Sequence, residues 1–168
     1  MRIIAITALF VASALAQVPA AASPAACGPE NATFKVNRDQ SQHALAQPDQ
    51  GKARVYFIHD AGTGSTLGYP TVKLALDGAW AGANHGNSYF SVPVEPGEHH
   101  VCVTLQSSLV DQRVELAHFT AEAGKVYYYR TRLVMSRRVE LLDLDRIDSD
   151  QGDYLIASFP LSVWNLKK

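Results

Sequence analysis

Six histidines, two cysteines and a run of carboxylates near the C-terminal end carry most of the chemistry this chain could perform. His99 and His100 are adjacent, so in a strand they point to opposite faces and cannot hold one ion together. Either could meet His118 or His85 across strands, an arrangement that suits a surface transition-metal site. Asp143, Asp145, Asp148, Asp150 and Asp153 suggest calcium by residue type but not by spacing. An EF-hand counted from Asp143 puts Ile147 at the fifth place, and one counted from Asp148 puts Asp153 where glycine belongs. Helix capping and a solvated turn account for these carboxylates without an ion. No metal site and no cofactor is assigned.

Other chemistries are less well supplied. In Gly62-Thr63-Gly64-Ser65-Thr66-Leu67-Gly68 the third glycine comes one place late for a dinucleotide fingerprint. Tyr69-Pro70 then prevents an immediate helix, so no helix amides are in place to hold a phosphate. No G-x-S-x-G is present, which leaves a hydrolase, with a triad gathered from distant residues, as the last-ranked reading. Arg130, Arg132, Arg137 and Arg138 could line one outer patch, with Glu140, Asp143 and Glu115 placed to neutralise it. Lys and Arg total 15 against 16 Asp and Glu, a net charge of −1, so nothing attracts nucleic acid. The expectation is a protein that is not an enzyme.

Two further sets matter. Trp80, with Tyr69 and Tyr89 as possible neighbours, is the candidate binding surface, an aromatic platform for a glycan or a partner protein. The commoner role of such an indole is to cover the outer sheet beneath an N-terminal arm or a helix. Cys27 and Cys102 form an even pair, and the start of the chain bears on their state. Met1-Arg2, an apolar run from Ile3 to Leu15 and then Ala14-Leu15-Ala16 or Ala20-Ala21-Ala22 read as a secretory signal over 1–22. The run is too short to span a bilayer comfortably. Export to the periplasm or beyond favours a Cys27–Cys102 disulfide over two thiols. Lipidation at Cys27 is the weaker reading, because Pro24-Ala25-Ala26 lacks the leucine a lipobox needs.

The elements that must position these residues read as short strands. Residues 23–51 are rich in Pro, Gln, Asn and Asp and read as an extended arm; 52–168 read as one domain. Ala53 to His59 is apolar on both faces, as in a central strand. Thr71 to Leu76 alternates, Asp77-Gly78 follows, and Ala79 to Ala83 returns, which predicts a two-residue type I′ hairpin. Its register sets Leu76 opposite Ala79, Leu74 opposite Ala81 and Val72 opposite Ala83, and sends Trp80 to the other face. Asn87 to Val92 is a further strand whose Pro93 marks an edge or a bulge. Beyond Glu95-Pro96-Gly97-Glu98, Val101, Val103 and Leu105 line one face and His100, Cys102 and Thr104 the other. With the first set facing the core, a bridge to Cys27 lays the arm across the outer face. Val114 to Thr120 fits strand or helix, Val126 to Val134 is a strand, and Val139 to Leu144 is the last. Asp148 and Gln151 have capping-box spacing ahead of a short helix that ends before Pro160. The fold class is mainly β: an antiparallel β-sandwich of seven or eight strands with one short C-terminal helix.

Three stretches taken in order resemble a known family: Asp77-Gly78-Ala79-Trp80-Ala81-Gly82-Ala83, Asn87-Ser88-Tyr89-Phe90 through Pro96-Gly97-Glu98-His99, and Ala123-Gly124-Lys125-Val126-Tyr127-Tyr128. They are similar to the bacterial domain of unknown function 2846, over roughly Lys52 to Asp145. The resemblance implies a secreted or lipid-anchored envelope protein, and neither a reaction nor catalytic residues. The function expected is an interaction or accessory module of the envelope, taking a protein or glycan partner. It would not span the membrane once the signal is removed. A glycan- or metal-binding module is the alternative.

Overall fold

The computed structural model describes residues 27–41, 44–62, 70–106, 114–136 and 139–167. The expected signal peptide, Tyr69, the glycine loop beyond Gly62, Arg137 and Arg138 lie outside the described residues. Within them the chain runs β1 (Phe34–Asp39), β2 (Ala53–Asp60), β3 (Thr71–Leu76), β4 (Ala79–His85), β5 (Ser88–Val94) and β6 (Gly97–Leu105). It continues through β7 (Val114–Ala121), β8 (Val126–Ser136), β9 (Val139–Ile147), α1 (Ser149–Ser158) and β10 (Leu161–Leu166).

The strands form a six-stranded sheet, β1-β10-β5-β2-β8-β9, and a four-stranded sheet, β4-β3-β6-β7. Their facing sides share one apolar core, with Val55, Phe57 and Tyr129 from the first sheet against Leu74, Val101 and Val103 from the second. This is the mainly β, two-layer architecture that the alternation predicts. Three details differ. The larger sheet is mixed, because β2 pairs in parallel with β8 and β10 in parallel with β5. Ten strands are present among the described residues where seven or eight were expected, since β1 lies in the supposed arm and β10 follows the helix. The helix is therefore not the last element. Residues 114–121 resolve as a strand.

The helix covers the outer face of the larger sheet. Asp148 caps it by accepting from the Gln151 amide at 2.9 Å, which satisfies one of the otherwise free N-terminal donors. Leu155 and Ile156 then pack on Tyr56, Ile58, Tyr89 and Tyr128. Gly152 lets the helix settle onto Tyr128, whose ring occupies the space a β-carbon would need. No helix among the described residues is long and apolar enough to cross a membrane.

The Asp77-Gly78 turn forms as expected, with φ of 52° and 79°, the positive values a type I′ turn requires. Leu76 faces Ala79 and Ala75 faces Trp80, but the register then slips by one. Leu74 meets Gly82 rather than Ala81, and Val72 meets Asn84 rather than Ala83. The reason lies in the core. Gly82 points inward beneath Trp164 and Phe90, which leave no room for a β-carbon. The bulge, one extra residue on β4, delivers the glycine to that place. It also turns Asn84 inward, where its amide donates to the Phe57 carbonyl at 3.0 Å and its Oδ1 accepts from Ser162 Oγ at 2.7 Å.

Candidate functional site

Trp80 leaves the Leu74 side, as the hairpin requires, and lies on the outer face of the four-stranded sheet. There the chain covers it with its own residues 27–33. Its indole N–H donates to the Pro29 carbonyl at 2.9 Å, Gly28 sits against the ring where a β-carbon would overlap it, and Phe34 approaches edge-on. The Lys73 ammonium lies 4.6 Å from the ring centre and donates to the carbonyls of Glu30 at 3.3 Å and Ala32 at 3.1 Å. Lys73 is only 3% exposed. Burial pulls its pKa below the ordinary lysine value, and the nearby Glu30 charge opposes that. This segment joins no ladder, so its carbonyls need donors; Trp80 and Lys73 supply them for Pro29, Glu30 and Ala32, and the Lys167 amide for Thr33. Cys27 is bonded to Cys102 on β6, which fixes the segment at its start.

Tyr89 is elsewhere. It lies buried on the outer face of the other sheet, 6.2 Å from Tyr56, under α1. The structure does not bring Trp80 and Tyr89 together, and Tyr69 is outside the described residues. What Tyr89 does border is a cleft. β5 and β10 pair only at Tyr89–Leu161, after which β10 turns away to pair with β1. The gap between them is a cleft of about 410 Å³ lined by Tyr56, Tyr89, Phe90, Val92, Leu161 and Trp164. Among the described residues β5 past Tyr89 thus has no ladder partner on this edge, and Pro93 sits on it, as a proline in a sheet must. Burial raises the pKa of both Tyr56 and Tyr89, so both remain phenols at neutral pH. Tyr56 uses its hydroxyl to donate to the Ala46 carbonyl at 3.1 Å. The cleft offers flat apolar walls, a few hydroxyls and strand main chain. Sequence reasoning missed it because Trp164 was not placed in a strand; the Pro93 edge signal was its one visible trace.

Several of the remaining candidates are engaged structurally. Asp145 pairs with Arg130 at 3.2 Å and Arg132 at 2.6 Å, and Asp143 with Arg132 at 3.0 Å. Asp153 accepts from the Tyr128 hydroxyl at 2.6 Å. His59 is fully buried, with Nδ1 3.0 Å from Thr131 Oγ1 and 3.2 Å from the Thr131 carbonyl. A carbonyl only accepts, so Nδ1 carries the proton, and the ring does not act as a base toward the hydroxyl. Its Nε2 has no hydrogen-bond partner among the described residues. Burial drives the His59 pKa down to about 4. No group of three or more metal-ligating side chains occurs among the described residues.

A family model described as Protein of unknown function (DUF2846) matches residues 49–143. That is more than half of the 168 residues, and the chain belongs to this family. No curated protein matches the chain, and no solved structure does.

Proposed function

We propose that this member of the family is an exported envelope protein, periplasmic or secreted, that works as a non-enzymatic interaction module. The observation that carries the reading is the Cys27–Cys102 bridge, a bond that persists in oxidising compartments and is rare in the cytosol. The family resemblance supports the same location. The open edge of β5 supports the mode of action. An extended segment of a partner protein can add main-chain hydrogen bonds along Phe90–Val94 while its side chains enter the aromatic cleft.

Two measurements test it. Intact mass of protein from the envelope fraction under non-reducing conditions should be about two daltons below that of the dithiol; a dithiol there removes the bridge that carries the reading, and a chain recovered from the cytoplasm with its first 22 residues intact removes the export reading. A photo-crosslinking side chain at Ser91, beside the cleft, should capture an envelope protein in the native envelope. The same side chain at Tyr154, exposed on α1, should not. Capture from Tyr154 alone would overturn the docking edge. No capture from Ser91, together with cell-wall sugars that alter tryptophan fluorescence, would favour a glycan instead.

A further inference from the structure

The β6–β7 ladder sets His100 directly opposite His118. Both lie on the outer face of the four-stranded sheet, with ring centres 6.5 Å apart. We propose that this pair chelates a late first-row transition-metal dication, Cu(II) or Zn(II), with water completing the shell. The inference is independent of the docking edge, which lies on the other sheet.

Three observations support it. The first is the state of the rings. His59, His85 and His99 each spend a ring nitrogen on a protein hydrogen bond, whereas His100 and His118 have no hydrogen-bond partner among the described residues for either ring. Their nitrogens remain available as ligands. The second is reach. Two metal–nitrogen bonds of about 2.0 Å place imidazole centres roughly 5–6 Å apart, so small side-chain rotations close the present separation. The third is rigidity. Both residues stand on paired strands, so little entropy is lost in orienting them. Imidazole suits copper and zinc alike, and at equal ligands copper binds more tightly. Two protein ligands describe an exchangeable site rather than a structural one.

The test is a Cu(II) titration of the full oxidised chain followed by electron paramagnetic resonance. One equivalent should give a signal split by two imidazole nitrogens. His100→Gln and His118→Gln should each remove one coupling and weaken binding by at least about tenfold, the scale on which even outer-shell changes act. His85→Gln and His43→Gln should leave the signal unchanged. A copper signal intact in His118→Gln, or one lost in His43→Gln or on blocking the terminal amine, overturns the proposal. A second readout needs no variant. Zn(II) should shift the ring resonances of His100 and His118 and leave those of His59 and His99 in place; shifts confined to other histidines would overturn it too.

Discussion

Two histidines set opposite pH limits on the fold, each through its own hydrogen bonds. His99 Nδ1 lies 2.7 Å from Asp77 Oδ2 and its Nε2 lies 2.7 Å from the Glu95 carbonyl. Both partners accept, so both nitrogens carry protons and the ring is an imidazolium that pins the β3–β4 turn to the β5–β6 turn. Burial acts against that charge, but the Glu95 carbonyl and the Asp77 carboxylate outweigh it, and the pKa rises above the ordinary 6.5. Its stabilisation is whole below pH 6.5 and is lost as pH climbs through the raised value. His59 behaves in the reverse sense. Buried and neutral, it contributes fully above pH 6.5 and loses that contribution as pH falls toward about 4. The loss is on the order of 3 kcal/mol by the shift alone. Urea midpoints should therefore fall on both sides of a maximum near pH 6.5, and His99→Gln should flatten the alkaline side only. A His99→Gln profile parallel to wild type on that side would show that the imidazolium does not hold the turns.

At the scale of the element, the β4 bulge makes the sharpest prediction. Gly82→Ala puts a methyl group into the Trp164 indole, and overpacking of this kind costs about 1–3 kcal/mol. Adding Trp164→Phe should recover part of the loss, which a general strand defect would not permit. A Gly82→Ala protein as stable as wild type would show that the bulge has another cause. The same hairpin marks how much was legible beforehand. The Asp77-Gly78 turn, the face of Trp80 and the Val101-Val103-Leu105 core face follow from local spacing. The slip past Ala75 does not, because it depends on Trp164, more than eighty residues away. β1 and β10 escaped for a related reason. They pair with each other from Phe34–Leu166 to Asp39–Leu161, so neither has a neighbour in sequence to announce it. Exposed Arg38, Val163 and Leu166 blur their alternation further. Tyr89 was misjudged as a neighbour of Trp80 because period-two spacing gives the face of a strand and not its sheet.

For the molecule as a whole, the family-matched residues 49–143 hold β2 to β8 and much of β9. The segment 27–33, β1, α1 and β10 wrap this centre from outside. Besides the main chain itself, one cross-link joins wrap to centre, Cys27–Cys102, at a sequence separation of 75. Closing so long a loop restricts the unfolded chain, a contribution of about 4 kcal/mol in the entropic treatment, and measured values often come out lower. The local hydrogen bonds beside the bond are few: the Trp80 and Lys73 donations to Pro29, Glu30 and Ala32, the Lys167 amide donating to the Thr33 carbonyl at 2.8 Å, and one internal turn bond from the Ala32 amide to Pro29. Cys27→Ser with Cys102→Ser should accordingly act in two ways. Global stability should fall by about 2–4 kcal/mol, and amide exchange across 28–33 should rise far more than exchange in β6. The second effect separates a strap from a core staple, since a staple lost from the core would loosen β6 to the same degree. Unchanged protection at 28–33 after the bond is removed would mean that Lys73, Trp80 and the Lys167 amide hold this segment without it. The disulfide would then act on the unfolded chain alone.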